Sequence, residues 1–114
     1  TVKARFDNIG GLKVRAPVKS AGVVVGRVDS IGFDTHTYRA EVEFTIATRY
    51  EFPRDTIASI LTSGLLGEQY IGLDAGVDFD MLGDGDLVQM TQSAVVLEKL
   101  IGQFMFDRAG AAND

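Results

Sequence analysis

The sequence predicts a mainly β domain, a compact β-barrel followed by a short C-terminal α-helix. Apolar and polar residues alternate with a period of two in several segments, which is typical of strands with one buried face. The segments are short and separated by turns, and the chain contains 13 glycines in 114 residues. After Ser93 the apolar period lengthens to that of a helix. Short strands of this kind fit a barrel or a sandwich, and we favour a barrel because closure removes exposed sheet edges.

The first half of the chain contains three predicted strands. The clearest is 38–46, where apolar side chains occupy alternate positions, at Tyr38, Ala40, Val42, Phe44 and Ile46. Segment 2–6 alternates in the same way. Segment 23–33 is rich in β-branched residues, and its glycines are predicted bend or bulge sites, at Gly22, Gly26 and Gly32.

The second half contains three shorter predicted strands, Thr56–Thr62, Glu68–Leu73 and Leu87–Met90, the last of which follows the turn Gly83-Asp84-Gly85-Asp86. The helical spacing i, i+3, i+4, i+7 then appears at Leu97, Leu100, Ile101 and Phe104, with Ser93 placed to cap the helix. We therefore expect a barrel at 1–91, a helix at 92–106 and a disordered tail at 107–114.

Composition narrows the possible functions. The chain has 16 acidic and 11 basic residues, a formal net charge of −5, and no cluster of Lys and Arg in its sequence. Nucleic acid is therefore an unexpected partner, and electrostatic docking on an anionic membrane is disfavoured. No stretch approaches the ~20 consecutive apolar residues of a membrane span.

The sequence offers no catalytic or metal-binding constellation, so we expect neither enzyme activity nor a cofactor. It contains no Cys and one histidine, His36, in a turn between two predicted strands. The carboxylates of Glu41 and Glu43 fall on the wet face of a strand. The acidic run lacks the spacing of a calcium loop and is interpreted as a solvated turn, at Asp78, Asp80, Asp84 and Asp86.

One candidate binding element is the pair Leu65 and Leu66, which lies between Gly64 and Gly67. Adjacent residues on a turn do not both point inward easily. Leaving two leucines in water forgoes ~1.5–3 kcal/mol each, so they are either core residues or reserved for a partner. The spacing alone leaves both alternatives open.

The predicted C-terminal helix is the second candidate element, because its apolar residues cover more than one face. Leu97, Leu100, Ile101 and Phe104 form one stripe, whereas Met105 and Phe106 lie off it. The simplest alternative is a helix half-buried on its own domain. We favour an interface with neighbouring subunits or a pore over that alternative.

Three segments resemble one family, the MCE (mammalian cell entry) domains. The opening FDNIGGLKVRAPVKSAGVVVGRV, residues Phe6–Val28, resembles the start of these domains. TSGLLGEQY at Thr62–Tyr70 and SAVVLEKLIGQFMF at Ser93–Phe106 resemble a loop and the C-terminal helix of the family. The resemblance covers nearly the whole chain and departs at the short connection Val77–Asp86.

The resemblance implies a phospholipid-binding subunit of a homohexameric ring. In such rings Leu65 and Leu66 would line a central apolar pore through which lipid passes. The implied location is the periplasm of a Gram-negative bacterium, with an anchor in the inner membrane through an N-terminal helix that this chain lacks. The implied partners are the permease and ATPase subunits of an ABC transporter and a periplasmic lipid carrier protein, and the implied role is to maintain outer-membrane lipid asymmetry. A structural oligomerisation module is the alternative, and a small β-barrel enzyme is a more distant one.

Overall fold

The computed structural model describes residues 1–64 and 67–94. Within these ranges the chain forms seven strands, β1 (Val2–Phe6), β2 (Pro17–Ser20), β3 (Val23–Asp34), β4 (Arg39–Ile46), β5 (Ile57–Thr62), β6 (Gln69–Asp74) and β7 (Met90–Gln92). Residues 95–106 of the predicted C-terminal helix, the predicted tail, and the pair Leu65 and Leu66 lie outside the described residues, whereas Gln92, where the helix was predicted to begin, is the last residue of β7.

The strands form one sheet in the order β1-β4-β3-β2-β6-β5-β7, and the two ends of this order come together. The Thr91 hydroxyl of β7 donates a hydrogen bond to the Arg5 carbonyl oxygen of β1 at 2.7 Å. Lys3 exchanges backbone hydrogen bonds with the segment before β7, accepting from Val88 at 2.8 Å and donating to Asp86 at 2.9 Å. The domain is therefore mainly β and the sheet is a nearly closed barrel, as the alternation and the glycine content predicted.

The core fills the barrel interior, and period-two alternation determines which residues reach it. In β1 the even positions are buried, and two of them pair directly with buried positions of β4, Val2 with Phe44 and Ala4 with Val42. Phe6 and Phe44 are fully buried. Burial of one such side chain is worth ~1.5–3 kcal/mol. Among residues 1–64 and 67–94, the buried apolar residues are Val2, Ala4, Phe6, Leu12, Val18, Val25, Val28, Val42, Phe44, Phe52, Ala58, Ile60, Ile71, Leu73 and Val88.

Strand β3 is long, and two β-bulges bend it. Against β4 the register shifts between Val28 and Ser30, and against β2 it shifts beside Gly26. A Cβ at Gly26 would overlap the Thr45 carbonyl oxygen, so this position requires glycine. The predicted bend at Gly22 is confirmed by its turn position and φ of +79°. The bend or bulge predicted at Gly32 is not present, since Gly32 lies within β3 and pairs regularly with its β4 partner.

Three strand predictions need correction. Strand β2 was not predicted, because it has four residues, begins with Pro17 and buries only Val18. The last strand is Met90–Gln92, whereas 87–90 was predicted. The apolar pattern misled that prediction, since Leu87 makes only an isolated bridge and Met90 is half exposed. Tyr38 does not face the core, because it lies in the turn before β4 with a φ of +56° and packs against Phe33.

Candidate functional site

The loop between β5 and β6 carries the first candidate element, and its stem is a tight hairpin. Thr62 and Gln69 form the last strand pair, and the Ser63 amide donates to the Glu68 carbonyl oxygen at 3.0 Å. Gly64 has a φ of +69°. A Cβ at Gly67 would overlap the Ser63 carbonyl oxygen. Both glycines of the predicted motif are thus required by the backbone, one by its conformation and one by close approach.

The stem leaves the barrel core before the tip is reached. Ile60 on β5 and Ile71 on β6 are buried and pair with each other. Beyond them, every described residue from 61 to 68 is exposed. Leu61, the first of these, exposes 43% of its surface. The hairpin therefore projects past the core, and this geometry fits a loop reserved for a partner. The positions of Leu65 and Leu66 remain predictions, because these residues lie outside the described part of the chain.

Gln69 links the hairpin stem to the turn that follows β1. Its side-chain oxygen accepts a hydrogen bond from the Gly11 amide, and its side-chain nitrogen donates to the Thr62 hydroxyl at 3.4 Å. Gly10 has a φ of +57°, and a Cβ there would overlap the Gln69 side-chain oxygen. The Gly10-Gly11 pair thus lets the turn approach the stem closely. Sequence reasoning gave no role to Gln69 or to these glycines.

The chain toward the second candidate element passes the same turn. The Ser93 hydroxyl oxygen accepts hydrogen bonds from the Asp7 amide at 2.9 Å and the Asn8 amide at 3.2 Å. The Ala94 amide donates to the Asn8 carbonyl oxygen at 2.9 Å. Residues 93 and 94 and the hairpin stem therefore lie against one turn, at one end of the barrel. The predicted helix itself lies outside the described residues, at Leu97, Leu100, Ile101, Phe104, Met105 and Phe106.

The candidate acid-base residues are held in surface interactions. His36 is exposed, and its amide donates to a carboxylate oxygen of Asp34 at 2.9 Å, which is the main reason that the pKa of Asp34 lies below its usual value. Glu41 forms ion pairs with Arg5 at 3.4 Å and with Lys3 at 3.9 Å. Across residues 1–64 and 67–94, no group of three His, Asp or Glu residues is arranged to hold a metal ion.

The connection from β6 to β7 is more ordered than the predicted solvated turn. The Asp55 carboxylate accepts hydrogen bonds from the Val77 amide at 2.8 Å and the Asp78 amide at 3.0 Å, and these bonds lower the pKa of Asp55. The Asp86 carboxylate accepts from the Gly83 amide at 2.7 Å and pairs with Arg54 at 3.3 Å. Aspartates of the run thus hold the loop together.

Within the described ranges, no helix is long and apolar enough to cross a membrane.

These features together define a class of protein, a small β-barrel whose candidate binding element is a glycine-braced hairpin tip at one end. The acidic and histidine side chains of the described ranges serve the fold or face solvent.

Comparison with known proteins identifies the family. Residues 1–76 match the family model of the MlaD protein, so the chain belongs to the MlaD family, which confirms the resemblance to MCE domains. The chain is 54% identical over 110 residues to the intermembrane phospholipid transport system binding protein MlaD of Haemophilus influenzae, an alignment that covers 93% of this chain and 66% of that protein. It is 52% identical over 119 residues to the protein of the same name from Escherichia coli K12, with 99% of this chain and 65% of that protein covered. The chain thus spans about two thirds of the length of these relatives.

A solved structure shows the same fold. The barrel superimposes on a chain of the Acinetobacter MlaFEDB complex in its ATP-bound Vtrans1 conformation with a TM-score of 0.77. The sequence identity is 28%, and the match covers 90% of this chain and 79% of that chain.

Proposed function

We propose that this chain is the phospholipid-binding part of an intermembrane lipid transport system and acts as a subunit of a homohexameric ring. Lipid passes through a central apolar pore lined by Leu65 and Leu66. The observation that carries the proposal is the projecting hairpin stem at Thr62–Gln69 in a chain of the MlaD family. The two relatives described above, from Haemophilus influenzae and Escherichia coli, are named as phospholipid transport system binding proteins.

The physical requirement for such a pore is continuous apolar contact with the acyl chain. Exposing an acyl chain to water costs ~0.8 kcal/mol per CH₂, so a chain of ~16 carbons costs more than ~10 kcal/mol. Repeating two leucines by rotational symmetry forms an apolar collar from very few residues per subunit. The described stem supports this role, because its exposed residues carry the hairpin away from the core of its own barrel.

The C-terminal segment extends the same path. Residues 93 and 94 contact the turn that also contacts Gln69, so these two residues and the hairpin stem share one turn. Its apolar residues would line the pore or join neighbouring subunits, namely Leu97, Leu100, Ile101, Phe104, Met105 and Phe106.

The role proposed for this chain includes no step that supplies energy, so partner proteins have to supply it. The permease and ATPase subunits of an ABC transporter supply the energy, and a soluble periplasmic carrier exchanges lipid with the ring. The similar chain of solved structure belongs to a complex described as ATP-bound. The ring lies in the periplasm at the inner membrane of a Gram-negative bacterium and serves outer-membrane lipid asymmetry. In this system the chain binds lipid and catalyses no reaction.

The test is the double substitution Leu65→Asn with Leu66→Asn. We expect a folded ring that no longer transfers phospholipid between labelled vesicles, because a polar collar does not match acyl chains. A matched control places the same polar exchange on another exposed hairpin, at Phe33 and Tyr38, which are 64% and 74% exposed. The control should transfer lipid normally.

Three outcomes would contradict the proposal. If the leucines are core residues, two buried amides without partners destabilise by several kcal/mol and the double variant does not fold. If the double variant is folded and transfers lipid at the normal rate, the leucines do not line the path. A ring that copurifies with no phospholipid under detergent-free conditions would favour the oligomerisation module instead.

A further inference from the structure

Two distant segments of the chain meet at the turn that follows β1. The Gly11 amide of this turn donates a hydrogen bond to the side-chain oxygen of Gln69, 58 positions away. The Ser93 hydroxyl oxygen accepts hydrogen bonds from the Asp7 amide at 2.9 Å and the Asn8 amide at 3.2 Å, across 86 and 85 positions. The turn therefore contacts the stem of the β5–β6 hairpin and the residues after β7 at the same time.

Gly10 of this turn contacts both segments. A Cβ at Gly10 would overlap the Gln69 side-chain oxygen and would lie 3.1 Å from the Ala94 Cβ, which is closer than ordinary contact. The φ of Gly10 is +57°, a conformation that side chains rarely adopt. The hairpin stem and the residues after β7 thus share one backbone position, which has no room for a side chain. We name residues 7–11 the junction turn.

The barrel holds the junction turn itself in place. The Asn8 side-chain oxygen accepts a hydrogen bond from the Gly10 amide at 2.8 Å, and the Leu12 amide donates to the Ile9 carbonyl oxygen at 3.1 Å. Leu12 is buried, and Ile9 is partly buried against the same core. The amides of the turn are therefore fixed with respect to the barrel, so the turn is a firm reference for the segments bound to it.

Both segments lead to elements that contact lipid in the proposed function. Gln69 belongs to the last pair of the β5–β6 hairpin, between whose strands the sequence places Leu65 and Leu66. Ala94 directly precedes segment 95–106, which carries the other apolar candidates. An acyl chain that passes between two such elements avoids water only while they stay aligned. Each CH₂ exposed at a gap would slow transfer ~4-fold, so a gap of two CH₂ groups would slow it more than ~tenfold.

We propose that the junction turn aligns the two lipid-contacting elements of this chain, and that Gln69 and Ser93 are positioning residues for lipid transfer. The inference rests on the proposed function and adds how that function keeps its path continuous. Neither residue contacts lipid in this role, because each acts through the backbone of the turn. Alignment of this kind requires that a change on one side of the turn reaches the other side.

Amide hydrogen exchange measures this transmission in both directions. Ser93→Ala removes the acceptor of two amides of the turn. We expect the Ser63 amide to exchange ~fivefold faster in this variant, although that amide donates to Glu68 within its own hairpin. Gln69→Ala should in turn accelerate exchange of the Ala94 amide, which donates to the turn at 2.9 Å. Elements that are held independently would respond on the mutated side alone.

Ser30→Ala is the matched control for the loss of a hydroxyl. Ser30 is exposed on β3 and donates to Glu43 at 3.4 Å, so its removal should leave the exchange of both amides unchanged. The Val77 and Asp78 amides, in the loop after β6, are the internal reference and should keep their rates in every variant. If they accelerate as much as the Ser63 amide does, the barrel loosens as a whole and the inference is overturned.

Phospholipid transfer between labelled vesicles tests whether the alignment matters for function. Gln69→Ala and Ser93→Ala should each slow transfer ~tenfold in folded protein. Gln69→Glu is the conservative variant, because its carboxylate still accepts from the Gly11 amide, and it should transfer lipid at close to the normal rate. Since either substitution breaks the same connection, the double variant Gln69→Ala with Ser93→Ala should be no slower than the slower single variant.

The outcomes separate this inference from the proposed function. If Leu65→Asn with Leu66→Asn abolishes transfer while Gln69→Ala and Ser93→Ala transfer lipid normally, the pore stands and the alignment is overturned. Unchanged exchange on the far side of the turn in both variants would overturn the alignment as well, and so would a Gln69→Glu variant as slow as Gln69→Ala. An unmodified chain that transfers no phospholipid would overturn the proposed function itself, whatever the exchange rates are.

Discussion

The two loops that flank β6 are held in different ways. The loop before β6, residues 63–68, depends on its own backbone, with Gly64 at positive φ and Gly67 against the Ser63 carbonyl oxygen. The loop after β6 depends on a side chain from another part of the chain, the Asp55 carboxylate, which accepts two backbone hydrogen bonds. The first loop is encoded within a few residues, and the second by residues more than 20 positions apart.

This difference determines which changes destabilise each loop. A locally encoded hairpin is sensitive to any side chain added at its glycines, whatever the pH or the rest of the fold. A loop held by a carboxylate is sensitive to the charge of that carboxylate and therefore to acid. Three substitutions, from the largest expected effect on stability to the smallest, measure how far the comparison holds.

The largest effect is expected for Gly67→Ala in the loop before β6. The added methyl group would overlap the Ser63 carbonyl oxygen, so the backbone must shift, and we expect a loss of ~1–3 kcal/mol in the free energy of unfolding. Urea denaturation measures this loss. Gly32→Ala is the control, because no atom lies within 4 Å of its Cβ position and its φ is not positive. Equal stability of both variants would show that the hairpin does not depend on close backbone approach.

A smaller effect is expected for Gln69→Ala, which removes the link between the hairpin stem and the Gly11 amide. Loss of this hydrogen bond and of the weaker one to Thr62 should cost ~1 kcal/mol. The Gly11 and Ser63 amides should also exchange hydrogen for deuterium faster. Gln89→Ala is the control, because Gln89 is exposed and precedes Met90, which pairs with Ile57 at the end of β5 opposite the hairpin. Unchanged exchange at both amides would mean that the stem is held by its backbone alone.

The smallest global effect is expected for Asp55→Asn in the loop after β6, with a local change at Val77 and Asp78. The pKa of Asp55 is lowered mainly by the hydrogen bond from the Val77 amide and next by that from Asp78. A carboxyl whose pKa is lower in the folded state stabilises the fold above its unfolded pKa of about 3.9, and this contribution is lost as the pH falls through the folded value. Amide exchange at residues 77 and 78 should accelerate in the variant at neutral pH.

Acid sharpens the same comparison. In the unmodified chain, the Val77 and Asp78 amide signals in a two-dimensional NMR titration should shift below about pH 4, while that of Ser63 in the other loop stays in place. Asp74→Asn, on the exposed end of β6, is the control for the loss of one carboxylate and should leave the loop unchanged. Persistence of both amide signals at their neutral positions down to pH 2 would remove Asp55 as the holding group.

The regular half of the barrel could be predicted from the sequence because its pattern is local. In β1 and β4, side chains alternate between the core and the outer face, so the period of two identifies the strand and its buried residues together. Gly64 and Gly67 could also be identified from a local pattern, because they directly flank the pair Leu65 and Leu66. Glycine occurs at such positions because the backbone there has no room for a Cβ or has a positive φ.

The other half required partners that a local pattern does not reveal. Strand β2 has four residues and one buried side chain, and it exists because β3 and β6 pair with it on both sides. The role of Gln69 was not predicted, because its hydrogen-bond partner Gly11 lies 58 positions away in the chain. The aspartates after β6 were interpreted as solvated, yet Asp86 pairs with Arg54 across 32 positions.

The sequence by itself determined the mainly β class, the family resemblance, the alternating strands and the glycines of the hairpin, because each depends on residues close together in the chain. Only the tertiary structure decided which strands close the barrel, what braces the hairpin stem and which charges share a surface. The Ser93 hydroxyl is the clearest case, since it accepts hydrogen bonds from the Asp7 and Asn8 amides, 86 and 85 positions away in the chain. The physical reason is that charge and hydrogen bonding act through space, whereas periodicity acts along the chain.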